Sequence, residues 1–126
     1  MTLYRRELTI QENLQVLAGI REMVARGDIT LGDAVRVLRV GVLQLSRAEF
    51  ARMVRVSQPA LAQIETDRGN PTVETLRRIF GPFGMRVGLV QMVDRGRSER
   101  PTTVEESTYP ALLEEVREVL ARNRRG

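Results

Sequence analysis

A chain of 126 residues with 42% hydrophobic content is long enough for one compact core and too short for two ordinary domains, so one domain with appended arms is expected. The absence of cysteine and histidine removes disulfides, thiolate chemistry and the commonest metal ligand and general base, which argues against an enzyme and leaves no cofactor or metal site expected. The net charge of +4 rests on 20 basic residues, all of them arginine, a side chain that binds phosphate bidentately and suits a polyanionic partner.

Helix-start signals recur along the chain as a hydroxyl residue followed three positions later by an acid, the pattern of a capping box. Thr9 with Glu12, Thr30 with Asp33 and Ser46 with Glu49 are the clearest. Behind the first, Ile10, Leu14, Leu17, Ile20 and Val24 repeat at helical spacing until Gly27 offers a left-handed stop, so residues 1–28 read as an N-terminal helical arm. Leu31, Val35, Leu38 and Val42 form a second stripe, interrupted by Gly41. Short helices are then predicted over Arg47 to Val54, Gln58 to Glu65 and Val73 to Phe80, the last broken near Gly81 by Pro82 and stopped by Gly84.

From Met85 to Val93 the pattern changes to period two, with Met85, Val87, Leu89 and Val93 on one side, and this predicts a strand. A lone strand needs a partner for its backbone groups, and no second segment matches it. It is therefore expected to pair with its equivalent across a homodimer. Residues 94–126 read as a polar linker followed by an amphipathic helix from Pro110 to Arg124, its face formed by Leu112, Leu113, Val116, Val119 and Leu120. No apolar run approaches about 18 residues and no signal-peptide pattern is present, so a cytoplasmic location without membrane contact is expected.

The informative stretch runs from Ser46 to Glu65. Phe50, Val54, Val56, Leu61 and Ile64 fall where two short helices face each other and the core, and Ala51 is small where they cross. Ser57 is placed to cap the second helix, with Pro59 in its first turn, where a missing N–H costs little. The outer face, Gln58, Ala62, Gln63 and Thr66, has no large apolar residue and is free to enter a groove. Glu65 and Asp67 do not make a catalytic carboxylate pair, because the first closes the helix and no cleft is implied.

These residues resemble the lambda-repressor and Cro-type helix-turn-helix regulators, the XRE family, over roughly Leu31 to Val90. The match is most specific from Leu45 to Glu65 and through Asn70-Pro71-Thr72-Val73-Glu74-Thr75-Leu76. The resemblance implies a mainly α fold, a five-helix-type bundle over residues 29–93 including the trailing strand, with added N- and C-terminal helices. It implies a sequence-specific regulator of transcription, a repressor binding double-stranded DNA at a palindromic operator as a homodimer. Its second motif helix would enter the major groove, with Gln58, Pro59, Ala62 and Gln63 at base edges. Arg47 takes the phosphate-contacting place usually held by glutamine, with Ser57 and Asn70 as further backbone contacts.

Three departures from the family pattern carry structural expectations. Arg55 stands where the family usually has a left-handed glycine, at a cost of about 1 kcal/mol. The stretch Val40 to Leu45 is one residue longer than the usual connection, and Gly81-Pro82 implies a kink where the family continues its helix. The strand adds a resemblance to the DNA-binding antitoxins of toxin-antitoxin pairs, which implies as an alternative a self-repressing antitoxin whose terminal helices hold a toxin protein. A second alternative is a non-DNA protein-interaction module, against which the polar outer face speaks.

Overall fold

The computed structural model describes residues 10–90 and 108–122, and all regular structure in them is helical. Six α-helices follow in order: α1 (Ile10–Arg26), α2 (Leu31–Val37), α3 (Arg47–Val54), α4 (Gln58–Glu65), α5 (Val73–Phe80) and α6 (Tyr109–Arg122). A π-helical turn, Leu38–Leu43, continues α2, and a 3-10 turn, Gly81–Phe83, ends α5. The Thr9 cap, the end of the expected strand at Val93 and most of the linker lie outside the described residues. Among the described residues no helix is long and apolar enough to cross a membrane.

The chain divides into two compact units, Met1–Ile29 with Val90–Gly126, and Thr30–Leu89. In the first, α1 and α6 pack on each other, and a Cβ on Gly19 would run into the Leu112 side chain. The buried face of α1 is Val16, Ile20 and Met23, with Leu14 61% exposed, so among the described side chains of the expected stripe only Ile20 is fully covered. Two apolar stripes lie side by side on this helix, and periodicity alone does not choose between them. On α6 the expected Leu112, Val116, Val119 and Leu120 are all buried.

Where α1 ends, Gly27 is left-handed (φ 78°), and its N–H donates to Val24 O at 3.0 Å while Asp28 N–H donates to Met23 O at 2.8 Å. These are the two bonds of a Schellman stop. The turn presents Asp28 to α6: the Tyr109 hydroxyl donates to Asp28 Oδ2 at 2.6 Å, and the Arg26 guanidinium lies 4.2 Å from the centre of the Tyr109 ring. Burial, and then the bond to Asp28, push the Tyr109 phenol far above its ordinary value.

In the second unit the core is Ala34, Val35, Val37, Leu38, Phe50, Val54, Leu61, Ile64, Leu76, Ile79 and Phe80, contributed by α2, the π turn and α3 to α5. Thr30 and Asp33 cap each other's backbone N–H groups at 3.0 Å, the full capping box. The connection to α3 runs through the π turn, and an i→i+5 turn holds one residue more than an α turn. Gln44, left-handed at φ 56°, closes it by donating its N–H to Arg39 O.

A buried ion pair fastens this turn to α4. The Arg39 guanidinium donates to Glu65 through Nε at 3.0 Å and Nη2 at 2.8 Å, with the Glu65 side chain fully enclosed and that of Arg39 10% exposed. A third nitrogen, Nη1, donates to Leu45 O at 3.0 Å.

The strand expected over Met85–Val93 is not supported where it is described: residues 85–90, with Met85, Val87 and Leu89, belong to no strand. Alternating apolar side chains mark a segment suited to pairing but do not supply a neighbour. The Met85 N–H instead turns back to Phe80 O at 3.2 Å, behind a left-handed Gly84, and Leu89 is wholly exposed.

Two predictions follow from these anchors. Arg39→Met should lower stability by about 3–5 kcal/mol by stranding a buried carboxylate, and Arg39→Met with Glu65→Leu should restore most of it. Denaturant unfolding would show the opposite if the double variant were no more stable than the single. The raised Tyr109 value means that neutral phenol is favoured in the fold, so its contribution is complete below about pH 10 and is lost as pH rises further. The chain has no lysine or cysteine, and Tyr4 is its one other phenol. Tyr109→Phe should therefore cost about 1–2 kcal/mol at neutral pH and flatten the alkaline decline in unfolding midpoint.

Candidate nucleic-acid interface

Local chemistry sets both helices of the motif. Ser46 is extended and caps α3, its hydroxyl oxygen accepting from Glu49 N–H at 3.1 Å. The helix stops at Arg55, which adopts the left-handed conformation expected of a glycine site (φ 60°, ψ 45°), and Val56 N–H reaches back to Ala51 O at 3.0 Å. One residue later Ser57 caps α4 by accepting from Ala60 N–H at 3.2 Å, with Pro59 in the first turn.

The eight residues of α4 divide cleanly by face. Leu61, Ile64 and Glu65 are buried, whereas Gln58, Pro59 and Gln63 are exposed and Ala62 is half-buried. The spacing Gln58 to Ala62 and Pro59 to Gln63 places these four in adjacent rows one turn apart. The Thr66 hydroxyl donates back to its own helix, at Ala62 O (2.9 Å) and Gln63 O (3.2 Å). A Cβ on Gly69 would lie 3.1 Å from Gln63 Oε1, so the backbone of the following loop borders that amide.

The end of α4 is pinned twice. Asp67 is left-handed (φ 57°), with its N–H bonded to Ile64 O at 3.1 Å and Arg68 N–H bonded to Gln63 O at 2.7 Å. Its carboxylate accepts from Gly32 N–H at 2.9 Å and from the Thr30 hydroxyl at 2.6 Å, tying it to the start of α2. Gly32 has to be glycine there, because a Cβ would stand 2.7 Å from Asp67 Oδ1. The second pin is Glu65 with Arg39. Sequence reading missed Arg39, whose only signal was a charge standing within an apolar run, Leu38-Arg39-Val40.

Of the residues expected at the DNA backbone, Ser57 and Asn70 are exposed. The Ser57 oxygen is the helix cap, but its O–H proton remains to be donated. Arg47, with its side chain 31% exposed, places Nε 3.7 Å from Glu65 Oε2. The expected phosphate ligand is thus also a neighbour of the buried carboxylate.

Charge is distributed unequally. The unit Thr30–Leu89 holds nine arginines and five acids and so accounts for the whole net charge of +4, while the other unit is balanced at eleven of each. Every acid of the positive unit has a partner within it. Asp33 pairs with Arg36, Glu65 with Arg39 and Arg47, and Glu74 with Arg78, while Glu49 accepts from Ser46 and Asp67 from Thr30 and Gly32. Arg52, Arg55, Arg68, Arg77 and Arg86 are exposed, with no ion pair to a described residue. Such an excess around a polar helix face attracts a polyanion.

Comparison with known proteins agrees with this arrangement. Residues 43–88 match the helix-turn-helix family. The immunity repressor protein of Bacillus phage phi105 is 26% identical over 98 residues, spanning 75% of this chain and 67% of that relative. No solved structure matches the chain. With Ser46 to Glu65 folded as two capped helices around a left-handed turn, residues 43–88 form a helix-turn-helix of the kind found in lambda-repressor and Cro-type regulators of transcription.

Proposed function

We propose that this protein is a transcriptional repressor that binds a palindromic operator as a homodimer, reading base edges with Gln58, Pro59, Ala62 and Gln63. The observation that carries the reading is the outer face of α4, polar, exposed and fixed at both ends, on a unit that holds all of the net positive charge. Glutamine presents a donor and an acceptor together, the pair that matches N6 and N7 of adenine. Four side chains on one short helix read only a few base pairs. Two copies about a two-fold axis double that, on half-sites roughly 34 Å apart. Arg47, Ser57 and Asn70 serve as backbone contacts that fix register. The immunity repressor among its relatives supports repression as the outcome.

The antitoxin alternative assigns the terminal helices to a toxin. Because α1 and α6 pack on each other and bury Ile20, Met23, Leu112 and Val116, the described residues offer no free amphipathic arm, and this favours the repressor.

Selection of binding sites from a pool of random duplexes should enrich an inverted repeat, and a pool that stays random after repeated rounds would overturn the proposal. On the selected duplex, Gln58→Ala should lose about 1–3 kcal/mol, with little change on a scrambled duplex. Equal losses on both would exclude base reading by Gln58. Arg47→Ala should weaken binding on every sequence and make the dependence of log affinity on log salt shallower by nearly one unit. An unchanged slope would exclude Arg47 as a phosphate contact.

A further inference from the structure

The left-handed turn between α3 and α4 carries an arginine where a glycine would adopt the same backbone conformation without steric cost. No side-chain contact of Arg55 among the described residues offsets that cost. The Arg55 side chain is exposed and makes no ion pair or hydrogen bond to another described residue, and the carboxylates of its unit are all engaged elsewhere. Only its backbone is held: Arg55 O accepts from Arg78 Nη1 at 3.4 Å, and Val56 N–H is bonded to Ala51 O at 3.0 Å. A strained backbone that supports a free side chain is a reason to look for that side chain's ligand outside the protein.

Its location supplies the ligand. Arg55 stands three residues before Gln58 and two before the Ser57 cap, at the end of α4 from which the exposed face begins. The α4 helix is eight residues long, about 12 Å, and the major groove is about 12 Å wide, so a residue just outside the helix end faces the groove wall rather than the bases. That wall is phosphate, and a guanidinium is its natural counterpart.

We propose that Arg55 binds a DNA backbone phosphate beside the base pair that Gln58 reads, and that the strained turn is retained for this contact. The inference rests on the DNA-binding reading above and adds a phosphate ligand to the three already assigned. It reverses the sense of the substitution: the residue that departs from the family's glycine is a binding group, not merely a structural liability.

The test separates stability from binding on one residue. Arg55→Gly removes the strain and the charge together, so the variant should unfold at a higher denaturant concentration than the parent. It should nevertheless bind a short duplex of random sequence roughly five- to tenfold more weakly at low salt, with a salt slope shallower by about 0.9. Arg55→Lys keeps charge and strain, and should keep the parental slope. Arg77→Gln removes an equally exposed, unpaired charge on α5 and should leave the slope unchanged. A parental slope in Arg55→Gly, or an equal change in Arg77→Gln, would overturn the contact while leaving DNA binding intact. Absence of duplex binding by the parent protein would overturn both.

Discussion

The helix-turn-helix unit depends on one buried carboxylate. Removing Glu65 from water costs several kcal/mol, and the fold offsets this only because Arg39 meets it with two nitrogens and Arg47 approaches from another side. The same Arg39 holds Leu45 O, so one guanidinium joins the residue before the motif to the last residue of α4. The angle at which α4 presents Gln58 and Gln63 is therefore fixed from behind. Asp67, bonded to Gly32 and Thr30, restrains the same helix end against rotation.

Features that need only three or four residues to form were legible in the sequence. Ser46, Ser57 and Thr30 cap the helices they were expected to cap, and Gly27 and Gly84 take the left-handed conformation at the stops assigned to them. The outward face of α4 was legible for the same reason, since helical periodicity and polarity agreed there. Arg39 and Glu65 are 26 positions apart, and no local pattern couples them. On α1, Leu14 and Val16 both belong to apolar rows, and the row that is buried was decided by α6, a helix from the far end of the chain. The segment after Gly84 shows the remaining limit: alternation describes side chains, whereas a strand is defined by a neighbour's backbone.

Acidic and basic residues have separate tasks in the helix-turn-helix unit. Its acids cap helices, close turns or neutralise a specific arginine, and each is accounted for within the fold. The arginines left over define the field that incoming DNA meets. Folding and recognition thus draw on the same small set of charges, and the protein becomes positive by placing its negative groups internally rather than by having many more arginines than acids.

The π turn at Leu38–Leu43 has a consequence for how this chain tolerates change in length. In a loop, loss of one residue is absorbed by slack. Here the wide turn holds one residue more than an α turn, and were the same residues wound as ordinary α-helix, the additional one would advance the chain about 100° around the helix axis. The α2 helix would be carried round by that angle relative to α3, with Arg39 turned away from Glu65 and the Thr30 cap from Asp67. Six residues that look like an irregular connection set the phase between the unit's first helix and the two that follow.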